Sequence, residues 1–148
     1  MEKIKKLVKP LADILCYCLM PNHFHFLLCT NDNINSEQYS NNIKVLLRSY
    51  TRAINKQENR VGSLFQQNSR VKIIIETDND RSEIDDSYFT ACFHYIHQNP
   101  LRAKLVSRLE DWEFSSFRDY VGLRSESICN WGLAKRLLGL PENIEELY

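Results

Sequence analysis

Apolar positions along this chain fall into two kinds of spacing. ILCYCLM (14–20) and HFHFLLCT (23–30) are runs of β-favouring residues separated by Pro21-Asn22, a turn pair, so they predict a hairpin or a bulged strand pair. From Glu37 to about Lys56 the apolar residues Tyr39, Ile43, Leu46, Leu47, Tyr50 and Ile54 recur at helical spacing, with Ser36 as the N-cap and Gly62 ending the pattern. VKIIIE (71–76) reads as a third strand and TDNDRSEIDD as an acidic loop. Asp86 or Ser87 then caps a second long helix whose apolar face is Phe89, Cys92, Phe93 and Ile96. Pro100 predicts its end, because a proline disfavours helix at the residue before it. A short helix within residues 1–9 stops at Pro10, and the segments LEDWEFSSFRDYVG and NWGLAKRLLGLP form a tail of short elements.

The resulting order, α-β-β-α-β-α plus tail, is α+β. One further strand at the front would make it β-α-β-β-α-β, a ferredoxin-like antiparallel sheet with helices on one face, so the expectation is that fold lacking its first strand. The chain's 148 residues suit a single domain, with a core over about 10–122 and a helical C-terminal tail over 123–148.

Charge then narrows the possible partners. Lys+Arg and Asp+Glu both number 19, so bulk electrostatics gives no argument for nucleic-acid binding and any such argument rests on local clusters. Lys44, Arg48, Arg52 and Lys56 recur every four residues on the first long helix, which reads either as a phosphate-contacting stripe or as a solvated helix face. The five cysteines are odd in number and form no Cys-x-x-Cys pair; small buried thiols in a reducing cytoplasm are the expectation. Neither a signal-peptide pattern nor a membrane span is read in the sequence, so no membrane partner is expected.

The chemistry concentrates in two places. On a strand, residues two apart share a face, so His23 and His25 present two imidazoles side by side. They read as two ligands for a divalent metal, or as two histidines packed on a half-buried sheet face. Far along the chain, FHYIHQNPLRA carries Tyr95 and Asn99 one helical turn apart. A phenol can act as a nucleophile, and an amide oxygen can complete a metal site with two histidines beside a phosphodiester. His94 and His97 fall on other faces of that helix; either reads as a phosphate contact or as simply exposed, and exposure is the expectation.

YCLMPNHFHFLL, GSLFQQNSR, YIHQNPLRAKLV and WEFSSFRDYVG resemble, in order and spacing, successive blocks of the REP-associated tyrosine transposases, a branch of the single-tyrosine HUH nucleases. The likeness spans roughly residues 12–122. It implies a metal-dependent endonuclease that cleaves single-stranded or hairpin DNA through a 5′-phosphotyrosine link and can rejoin it. Carried over residue by residue, it makes Tyr95 the nucleophile and His23, His25 and Asn99 the ligands of Mg²⁺ or Mn²⁺. Arg70, Lys72, Arg102 and Lys104 flank this site in sequence and would extend a DNA channel. Phe65 with Gln66 and Gln67 would offer stacking and base-edge bonds to a single strand, while Trp112 and Phe114 read as core. Only nine residues precede Pro10, where the family carries a first strand. The expectation is therefore an unpaired sheet edge, met by a homodimer through that edge or through swapped elements. Two other readings stay open: a metal-dependent hydrolase using activated water, and a DNA-binding relic without catalysis.

Overall fold

The hairpin forms as its residue types require. The computed structural model describes residues 2–30, 36–65, 86–141 and 144, and within them β1 (Ala12–Leu19) pairs antiparallel with β2 (Phe24–Thr30). The register shifts between Ile14 and Cys16, leaving Leu15 as an extra residue. That bulge decides the packing. A regular strand would send Ile14 and Tyr17 to opposite faces; one inserted residue returns both to the same face. Ile14 and Tyr17 accordingly share a cluster with Phe26 and Leu28, while Cys16, Cys18 and Leu27 lie in a second cluster on the other face.

Each face has its own helical cover. α1 (Glu2–Leu7) and α2 (Ser36–Gln57) bring Ile4, Ile43 and Leu46 onto the first cluster. α3 (Asp86–Arg102) and α4 (Trp131–Leu138) bring Phe89, Phe93, Ile96, Ala134 and Leu138 onto the second. The chain is thus α+β with a two-stranded antiparallel sheet among the described residues. The expectation of helices on one face is corrected: α1 and α2 cover one face of the hairpin, and α3 and α4 cover the opposite one. The run at 71–76 lies outside the described residues. No helix among the described residues is long and apolar enough to cross a membrane.

The outer edge of β1 is lined by the tail. Leu19 N–H donates to Phe114 O (2.9 Å), Ser116 N–H to Tyr17 O (3.0 Å) and Asn130 N–H to Ile14 O (2.8 Å). Side chains complete the row: the Trp112 indole donates to Leu19 O (3.0 Å), and the Tyr120 hydroxyl donates to Leu15 O. An edge saturated in this way offers no template for a further strand. Phe114 is a correction: it is 42 % exposed, because the bridge between Cys18 and Ser115 turns Ser115 inward. The end expected at Pro100 also moves, since α3 runs on to Arg102. Pro100 lies in the last turn with its ring fully buried, and Leu105 N–H still closes on its carbonyl at 2.9 Å. The one amide hydrogen bond lost there is offset by burial of the ring.

Candidate active site

The hairpin turn sets the first two side chains. Met20 N–H donates to His23 O (2.9 Å), closing the loop so that His23 enters just ahead of β2 and His25 follows within it. Their rings stand edge to face with centroids 4.9 Å apart. His23 Nδ1 lies 2.7 Å from Asn22 Oδ1. A carbonyl oxygen only accepts, so in this contact Nδ1 is the donor. His25 Nε2 is buried and has no hydrogen-bond partner. Burial and the neighbouring His23 lower the pKa of His25, with the Asn99 side chain acting in the opposite sense, so the imidazole is held neutral. An orphaned buried nitrogen costs about 1–3 kcal/mol and calls for an explanation.

α3 supplies the rest. The Tyr95 ring meets His25 edge to face at 5.6 Å and is 45 % exposed. One turn on, Asn99 Nδ2 donates to Tyr95 O (2.7 Å), which commits the amide nitrogen to the helix, and the Asn99 side chain also interacts with the His25 imidazole. Arg102 lies with its guanidinium carbon 5.5 Å from the Tyr95 ring centroid. His23, His25, Tyr95, Asn99 and Arg102 therefore form one group, drawn from two elements some seventy residues apart in the chain.

A divalent ion fits this donor set. Two imidazoles and an amide oxygen could supply three ligands, and the buried Nε2 of His25 is the kind of atom a metal would satisfy. The remaining positions would fall to phosphate oxygens and water. Among the described residues no cluster of three or more His, Cys, Asp or Glu side chains is positioned to hold a metal.

Other expected residues lie elsewhere. Lys44, Arg48, Arg52 and Lys56 are exposed on α2, whose packing is against the sheet face opposite α3, so the stripe does not join the Tyr95 group. Arg70, Lys72, Gln66 and Gln67 lie outside the described residues. Phe65 packs between Phe24 (5.8 Å) and Tyr50 (5.7 Å), which uses its ring for the fold. Lys104 is exposed just past α3, in a left-handed conformation at φ 56°. The exposure expected for the two remaining histidines is corrected: His94 is half-buried and His97 fully buried. His97 Nε2 lies 2.8 Å from Ser116 Oγ, with Phe93, Phe117 and Tyr120 packed around its ring. Asn22 reads from the sequence only as a turn residue, and its contact with His23 is not foreseen, although an amide directly before a candidate ligand is the signal available. No family model, curated protein or solved structure matches the chain.

Proposed function

We propose that this protein is a metal-dependent single-stranded DNA endonuclease and strand transferase, a transposase of the HUH tyrosine type acting on hairpin or repeat DNA. The observation that carries the reading is the buried, unpartnered Nε2 of His25 in one cluster with His23, Asn99 and the exposed phenol of Tyr95. Tyr95 Oη attacks the phosphorus of a phosphodiester and gives its proton to water. The bond to phosphorus forms as the P–O3′ bond breaks, and the departing oxygen takes up a proton to become a 3′-hydroxyl. The 5′-phosphate stays on the tyrosine until a 3′-hydroxyl attacks in the reverse sense and rejoins the strand.

Each residue has a part in this. Mg²⁺ or Mn²⁺ held by His23, His25 and Asn99 would draw charge from the non-bridging oxygens. Asn22 holds His23 in the tautomer that leaves Nε2 available. Arg102 brings a positive charge beside the attacking ring. The basic stripe of α2 and Arg70 contact phosphates further from the cut. Cover of one sheet face by α1 and α2 supports a ferredoxin-like core in which the run at 71–76 is a further strand. Cys16, Cys18, Cys92 and Cys129 are free thiols, which supports a cytoplasmic setting.

The test is capture of a covalent adduct between the full chain and single-stranded oligodeoxynucleotide in Mn²⁺. Wild type should form it, and Tyr95→Phe should bind DNA but form none. Equal metal-dependent cleavage by both proteins would overturn the tyrosine mechanism in favour of activated water. Binding without cleavage by either would leave a DNA-binding protein only.

A further inference from the structure

Beside Tyr95 the surface opens into a groove of about 560 Å³ lined by Gln98, Leu101, Arg102, Arg108, Leu109, Glu110 and Phe117. Such a volume lies within the roughly 300–1,000 Å³ typical of small-ligand pockets. We infer that this groove is a subsite for one unpaired nucleotide of the DNA strand, the one next to the phosphate that Tyr95 attacks. The inference rests on the nuclease reading above for its ligand class.

Continuity is the first argument. Arg102 both covers the Tyr95 ring and lines the groove, so a strand whose phosphate reaches the phenol meets the groove next. Tyr95, Gln98 and Arg102 fall at i, i+3 and i+7 on α3, one row along the helix over a rise of about 10 Å. The groove's chemistry is the second. Leu101 gives apolar surface for a base, with Leu109 and Phe117 buried as its floor. The half-buried Gln98 amide offers a donor and an acceptor to a base edge. Arg102 supplies charge for a flanking phosphate. Glu110 is the one carboxylate in the lining, and Arg108 already engages it. Arg102 has no ion-pair partner among the described residues, which leaves its charge for the ligand.

The far wall is held in place. It is the 3₁₀ turn Leu109–Asp111, fastened by Arg118, which donates to Glu110 O at 2.9 Å. Phe117 is braced from behind by His97 at 5.7 Å. A preformed wall suits a site that reads one nucleotide without reorganising.

Cross-linking tests the subsite separately from catalysis. The full-length Tyr95→Phe chain is mixed with random-sequence single-stranded oligodeoxynucleotides carrying 5-iododeoxyuridine, irradiated, and its cross-linked peptides are identified by mass spectrometry. The expected result is cross-linking to peptides containing Leu101, Leu109 or Phe117. Gln98→Ala and Arg102→Ala should each weaken binding about tenfold, and Arg102→Ala should reduce the salt dependence by about 0.7 in log–log slope. Cross-links confined to other surfaces, with wild type still forming the covalent adduct, would overturn the subsite and leave the nuclease reading standing. Cross-links in the groove without any adduct from wild type would do the reverse. No binding to the pool at all would overturn both.

Discussion

His97 should make the protein acid-sensitive in a way that one substitution removes. Its imidazole is fully buried, and burial lowers its pKa from 6.5 to about 3. Once unfolded, the same side chain takes up a proton below about pH 6.5. Between those values the unfolded chain binds more protons than the folded one, so stability falls as the pH drops. The loss is about 2 kcal/mol at pH 5 and approaches about 5 kcal/mol near pH 3, a large part of the 5–15 kcal/mol a domain usually has. His97→Phe keeps a ring among Phe93, Phe117 and Tyr120 and removes the titration. Ser116 Oγ keeps its hydrogen bonds with Tyr17 N (2.9 Å) and Tyr17 O (3.1 Å), so the serine is not left unsatisfied when the imidazole is removed. At pH 7 the variant should therefore be about 1 kcal/mol less stable than wild type, and it should overtake wild type somewhat below pH 6. His25 and His94 also have lowered pKa values, but they are common to both proteins and cancel in the difference. Urea denaturation at pH 7, 6 and 5 reads the effect directly. Parallel stability profiles for the two proteins would refute the assignment of a neutral buried imidazole.

Replacing His25 by Phe removes the orphaned nitrogen, so metal-free stability should rise, by up to about 1–3 kcal/mol, while the thermal shift produced by Mn²⁺ disappears. Asn22→Ala frees His23 Nδ1 and should weaken Mn²⁺ binding about tenfold in calorimetry, with little change in metal-free melting. Arg124 engages Asp119, the Tyr17 hydroxyl and Glu113 O, and the Asp119 side chain is only 3 % exposed. Arg124→Ala should cost about 3 kcal/mol and lower the melting temperature by about 10 °C in calorimetry.

What the sequence discloses is what short-range pattern can carry. The hairpin, the two long helices and the pairs His23/His25 and Tyr95/Asn99 depend on spacings of two to four residues, and they are legible. The bulge at Leu15 is not, because apolar residues fill β1 continuously and no alternation marks the slipped position. Nor is the lining of the β1 edge, since Trp112 reaches Leu19 and Tyr120 reaches Leu15 across 93 and 105 residues. The passage of α3 through Pro100 is hidden for a related reason: the local rule against helix there is overridden by tertiary burial of the ring.

The same limit explains the misreading of His97 and shows what that residue does for the site. On a helical wheel it lies away from Tyr95, and a polar residue away from the proposed site reads as solvated. In the structure that face is the packed one: Phe93, Ile96, His97 and Pro100 are buried, and Tyr95 and Arg102 look outward. Ser116 bonds both to His97 on α3 and to the backbone of Tyr17 on β1. One tail residue thus fixes the height of α3 against the hairpin, and with it the approach of Tyr95 to His25. The Tyr95–His25 contact of 5.6 Å depends on a clamp formed on the far side of the helix, by a segment with no chemistry of its own. Substitutions in that clamp should therefore disturb the site through the position of α3 even where they leave the fold intact.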